Sequence, residues 1–192
     1  MIIFPPGATP LDHDEMQGLI HPAAATRGAL DYLELANIRK AEKWAFGQFH
    51  ENLLTSEFIK NLHRRMFEQV WKWAGQYRKT EKNIGVITWN ISTAVYELCN
   101  DVQAQISHKS FPPDELAARF HHKLVYIHPF PNGNGRLSRV MTDLLLASLG
   151  EPRFTWGNKD LIQQNNIREK YIEALRAADA HNYQPLFAFV RS

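Results

Sequence analysis

Two almost continuously apolar helical runs stand on either side of one loop rich in glycine and proline. No other feature limits the fold of this chain so strongly. The loop is HPFPNGNGR, residues 128–136. Before it, Leu116, Ala117, Phe120, Leu124 and Ile127 recur at steps of one, three or four, which keeps one helical face apolar. After it, Leu137, Val140, Met141, Leu144, Leu145 and Ala147 repeat the pattern over Arg136 to Leu149, until Gly150 and Pro152 stop it. Pro129 disfavours helical geometry in the residue before it, so the first run ends at His128. Apolar faces this broad must bury each other, and the loop is left at one end of the pair.

The rest of the chain reads as more helix. From Ala29 to about Phe46, Leu30, Leu33, Ala36, Asn37, Ala41, Trp44 and Ala45 form a stripe. Thr55 or Ser56 caps a second helix carrying Phe58, Ile59, Leu62, Met66, Phe67 and Val70. A third spans about Ile91 to Ser107, with Val95, Leu98, Val102 and Ile106 on one face. A last pair covers Lys159 to about Ala178 and then Pro185 to Val190. Between Gly75 and Ile91, TEKNIGVITWN (80–90) sets β-branched residues around Gly85, which predicts a short β-hairpin flap. Four prolines and three glycines in residues 1–28 predict an irregular arm rather than a helix, leaving 29–192 as a single domain. The expected fold class is all-α, a helical core with that one β element.

Composition excludes several functions. Cys99 is the only cysteine, so an internal disulfide and a cysteine-based zinc site are ruled out. A net charge of +2 without a long basic run argues against nucleic acid as a partner. Apolar stretches shorter than a membrane span and the lack of a basic, then apolar, N-terminal leader predict a cytoplasmic protein with no membrane association. His121 and His122 are adjacent, so on a helix they point about 100° apart and do not chelate from one face.

The loop itself carries chemistry. Gly133-Asn134-Gly135 allows backbone angles closed to bulkier residues, and successive N–H groups in such a turn converge on an anion. It feeds a helix N-terminus, with unpaired N–H donors and the positive end of the dipole. Arg136 and Arg139, three apart, share a helical face and supply two guanidinium forks for phosphate. His128 stands just before them, an imidazole suited to general-base work. Together these residues describe a site for more than one phosphate.

The string from His128 through Phe130, Asn132, Gly133, Asn134, Gly135 and Arg136 to Arg139 resembles the signature HxFx(D/E)GNGRxxR of the Fic (Fido) family, departing from it at Asn132. WAGQYRKTEKNIGV (73–86) and YIEALRAADAHNYQPLFAFV (171–190) resemble other segments of the family. FPPGATPL (4–11) and TRGALDYLELANI (26–38) are similar to its subgroup called mobile mystery protein B. The resemblance implies a Fic-fold helical core that binds ATP and transfers AMP to a hydroxyl side chain of a target protein, an adenylyltransferase. By motif position, His128 deprotonates that hydroxyl and Phe130 anchors the loop. Gly133, Asn134, Gly135 and Arg136 hold the phosphates, and Arg139 grips the γ-phosphate end. The flap at Ile84, Gly85 and Val86 aligns the target by strand addition.

At the family's metal-binding acid this chain has Asn132. An amide keeps a carbonyl oxygen for Mg²⁺ or Mn²⁺ but loses a full negative charge, so Asn132 is expected to be a weak ligand. Three outcomes stay open: an AMP transferase tolerant of weak metal binding, an enzyme with another phosphate donor, or a nucleotide-binding regulator or toxin–antitoxin-type module without turnover. Many relatives carry an inhibitory helix of pattern (S/T)xxxE(G/N), whose glutamate pairs with the second motif arginine. Glu34, in LDYLELAN, lies where such a helix would sit but lacks the pattern, and is the candidate to approach Arg139. Thr93 to Glu97 has the spacing but is followed by Leu98. A separate antitoxin or regulatory partner would leave no mark in the sequence.

Overall fold

The computed structural model describes residues 12–21, 27–157 and 167–192. Its helices are α1 (His13–Gln17), α2 (Arg27–Phe46), α3 (Ser56–Phe67), α4 (Ile91–Ser107), α5 (Pro113–Ile127), α6 (Asn134–Ser148), α7 (Ile167–Asp179) and α8 (Gln184–Val190), with a 3-10 turn at Thr88–Asn90 before α4. The termini follow local chemistry. Thr55, in extended geometry, accepts the Phe58 N–H on its hydroxyl at 3.1 Å and starts α3. Pro113 opens α5, where a missing N–H costs nothing. The start of the last long helix, predicted at Lys159, lies outside the described residues.

The core is built around α5 and α6, which pack along each other, with α4 and α8 against α5 and α3 against both α2 and α6. Phe120, Leu124 and Ile127 of α5 meet Leu137, Met141 and Leu145 of α6 in a fully buried layer. Burying each such side chain contributes about 1.5–3 kcal/mol, so the two helices that bracket the loop are also the best anchored.

Three expectations need correction. The β-hairpin flap is absent: among the described residues there is no strand, and the β pairing seen is an isolated bridge between Leu19 and Trp71. Residues 80–87 run irregularly because side chains and a helix end take their backbone groups. Val86 N–H bonds the Ile127 carbonyl at the end of α5 at 3.3 Å, and Arg78 takes the Thr80 and Val86 carbonyls. Glu81 accepts from both the N–H and hydroxyl of Thr88 at 2.9 Å. Second, part of the arm is helical. Asp12 and Glu15 form a reciprocal capping box on α1, a D-x-x-E signal legible in the sequence. Third, the buried stripe of α2 is Leu30, Glu34, Asn37, Ile38, Ala41 and Ala45, so a carboxylate sits inside it while Ala36 faces outward.

Candidate active site

The loop between α5 and α6 is bounded by two left-handed residues. His128 ends α5 at φ 53°, ψ 58°, and Gly133 precedes α6 at φ 80°. A side chain at Gly133 is excluded twice, since its Cβ would stand 2.5 Å from the Phe67 ring as well as at positive φ. Gly133 therefore leaves the N-terminus of α6 without a side-chain cap, and the first N–H groups of the helix keep their donor capacity. Asn134 turns its side chain inward instead. Its amide oxygen accepts the Phe130 N–H at 2.9 Å and its amide nitrogen donates to the Phe130 carbonyl at 2.8 Å. What Asn134 offers a ligand is its backbone.

Phe130 anchors the loop as expected, fully buried and stacked on His63 at 3.8 Å between ring centroids. His63 has a second duty that the sequence did not signal. The Gly75 N–H donates to its Nδ1 at 2.9 Å, so Nε2 carries the proton and donates to the Asn132 carbonyl at 3.0 Å. Burial pushes its pKa down to about 3, and the neutral ring holds this tautomer through the physiological range.

His128 is buried, and burial followed by the Arg78 charge pushes its pKa down to about 4. Its ring is neutral at pH 7 and able to take a proton. The two motif arginines, though on one face, lean apart. Arg136 lies over the Phe67 ring and pairs with Glu34 of α2, while Arg139 lies over Tyr171 of α7 and near Trp156. Glu34 thus reaches the site at the first motif arginine and also accepts the Trp71 indole N–H at 2.6 Å. Of the segment Ile84, Gly85 and Val86, Gly85 lies against His128, since a Cβ on it, at φ 108°, would stand 2.8 Å from the His128 Cβ; Val86 N–H bonds the neighbouring Ile127 carbonyl, and Ile84 is half exposed.

The fit of a divalent cation turns on Asn132. Its side-chain oxygen accepts the Gly133 N–H at 2.7 Å and the Arg136 guanidinium at 3.2 Å. An amide oxygen has two lone pairs, and both are engaged. A cation there would also face the Arg136 charge. Among the described residues, no cluster of three or more His, Cys, Asp or Glu side chains offers another place. As arranged, these residues do not fit a resident cation.

An uncapped helix end, two guanidinium groups and a neutral imidazole thus flank one loop of a helical protein, under an apposed backbone segment. Residues 53–146 match the model of the Fic/DOC family, and the chain is a Fic/DOC-family domain protein. It is 30% identical to protein adenylyltransferase Fic of Nematostella vectensis, over 96% of this chain and 39% of that protein. Likewise it is 27% identical to protein adenylyltransferase Fic of Aedes aegypti, over 93% of this chain and 32% of that one. The chain therefore spans about a third to two fifths of the length of these curated relatives. In fold it is similar to BepC of Bartonella tribocorum, crystallised with bound AMPPNP, at TM-score 0.71 and 18% identity, covering 94% of this chain and 97% of that one. Fic-1 of Caenorhabditis elegans superimposes at TM-score 0.67 and 22% identity, over 91% of this chain and 51% of that one. These likenesses show the family and the fold, and leave the narrower subgroup as a resemblance of two short segments.

One partner of the site, Arg78, escaped sequence reading, being visible only as a basic residue before the flap. Glu34 was singled out in the sequence as a candidate partner of Arg139, and the structure pairs it with Arg136 instead. No described helix is long and apolar enough to cross a membrane.

Proposed function

We propose that this site transfers AMP from ATP to a hydroxyl side chain of a target protein. The observation that carries the reading is the position of His128, a neutral imidazole beside the uncapped N-terminus of α6 and beneath the flap. The backbone of Gly133, Asn134 and Gly135, with Arg136 and Arg139, would receive the triphosphate. His128 would take the proton of the attacking hydroxyl as its oxygen bonds the α-phosphorus. The bond from that phosphorus to the bridging oxygen then breaks, and pyrophosphate leaves. Phosphate charge beside the ring would raise its basicity from the depressed value of the free site. Residues 84–86 would align the target's backbone, held as an irregular segment rather than a hairpin. Mg²⁺ or Mn²⁺ would arrive on the nucleotide's own phosphates, which suits a cation that takes few protein ligands.

A second reading is favoured by two contacts. Glu34 occupies Arg136, and Asn132 spends its oxygen on the same guanidinium. A site so closed would serve a nucleotide-binding regulator with little turnover. Intact-protein mass after incubation with ATP and a divalent cation, beside His128→Ala, separates the two. A His128-dependent gain of one adenylyl group supports transfer. ATP binding without any gain, on the chain or on proteins of a lysate, supports the regulator.

A further inference from the structure

Arg78 is the most deeply buried charge near the site, with no part of its side chain exposed. Burying an uncompensated guanidinium is costly, so where its donors go is a complete question. Nε donates to the His128 carbonyl at 2.7 Å, Nη1 to the Thr80 carbonyl at 3.1 Å and Nη2 to the Val86 carbonyl. Its own backbone N–H donates to the Pro129 carbonyl at 2.9 Å. The carboxylate within reach, on Glu81, is half exposed and 3.5 Å away, at the limit of a hydrogen bond. The fork is therefore satisfied chiefly by three main-chain carbonyls, one from the base-bearing residue and two from the flap.

Geometry makes the contact tight. A Cβ on Gly85 would stand 2.7 Å from Arg78 Nη2 and 2.8 Å from the His128 Cβ, so flap, guanidinium and base touch at one point. His128 is held there in left-handed geometry that non-glycine residues seldom adopt. Its carbonyl direction follows from that twist, and Arg78 meets it.

We infer that Arg78 is a positioning residue that clamps the flap to the His128 backbone, so that base and target-aligning segment move as one unit. This rests on the reading of His128 as general base and of residues 84–86 as the aligning segment. The clamp has an outer counterpart. Lys82 pairs with Glu15 and Asp12 of the N-terminal segment, and Thr80 donates its hydroxyl to Asp12 at 2.8 Å. The flap root is thus tied on both sides. The charges that bear on the His128 imidazole include Arg78 and Lys82, from before and within the flap, with the Val125 backbone of α5 acting on it as well.

The test compares Arg78→Gln, Arg78→Lys and Gly85→Ala with the natural chain, without nucleotide. Two signals are followed: the His128 imidazole titration by NMR and hydrogen exchange at the Val86 amide. In Arg78→Gln the titration midpoint should rise by about one pH unit as the facing charge is lost. The Val86 amide should exchange about tenfold faster or more as the flap opens. Arg78→Lys should keep much of the charge effect but not the protection, since an ammonium cannot span three carbonyls as a planar fork. Gly85→Ala presses on the same contact without unburying a charge, and should speed Val86 exchange even if Arg78→Gln does not fold. A folded variant with both signals unmoved would overturn the clamp. These readouts need no turnover. If the natural chain transfers nothing while the signals move as stated, the transfer reading fails and the clamp stands.

Discussion

Glu34 of α2 grips Arg136 of α6 across 102 positions of sequence, and the same carboxylate accepts the Trp71 indole N–H. One buried acid thus joins α2 to the α6 end of the loop. Its pairing with the first motif arginine, rather than with Arg139, places any restraint at the inner side of the site.

Replacing this acid should separate stability from binding. In Glu34→Ala, Trp71 and Arg136 lose their shared acceptor, and the fold should lose about 1–3 kcal/mol. Freed Arg136 should bind phosphate better, with ATP affinity rising about tenfold. Denaturant melts and titration calorimetry read the two effects. Loss of both stability and affinity would mean that Glu34 organises Arg136 instead of restraining it.

Metal dependence should be weak in the natural chain and strong in a variant. ATP affinity measured with EDTA should lie within about threefold of that with Mg²⁺, because Asn132 contributes no free oxygen. Asn132→Asp adds the missing charge and should make binding about tenfold or more tighter with Mg²⁺ than with EDTA. A large Mg²⁺ effect in the natural chain would show that Asn132 releases Arg136 and ligates.

The loop should tolerate nothing at its glycine hinge. Gly133→Ala faces both positive φ and the Phe67 ring, and should cost about 2–4 kcal/mol. Phe67→Leu should recover part of that loss in the double variant, which urea denaturation would detect as non-additivity. Strict additivity would place the cost wholly in the backbone.

Acid should unfold the protein early. His63 and His121 have pKa values pushed down to about 3 by burial, and His128 to about 4. Unfolded, each titrates near the ordinary imidazole value, so below about pH 6.5 the unfolded chain binds protons that the folded chain refuses. Stability from these residues is complete above that pH and declines through the interval down to pH 3–4. One unit below the ordinary value, each costs of order 1 kcal/mol. Chemical denaturation between pH 7.5 and 5 should show the fall, and His121→Gln should flatten it.

Much of the helical frame was legible because its signals are local. The span Ile91–Ser107, the Thr55 cap and the stop at His128 follow from periodicity, a hydroxyl and a proline, and the structure has all three. The flap was misread because β-branched residues around Gly85 report strand propensity, whereas the buried side chain of Arg78 and the Ile127 carbonyl consume the backbone donors and acceptors a hairpin would use. The site was legible as a motif but not as a set of partnerships. That Arg136 and Arg139 share a helical face could be read from spacing. That α2 draws one aside and α7 holds the other is a property of packing, invisible to any window of sequence.

Asn134 ties the loop to itself through both atoms of its amide, and His63 fixes Asn132 from behind. The loop's shape is therefore settled in the free chain, and a ligand bound there as proposed would cost little ordering entropy.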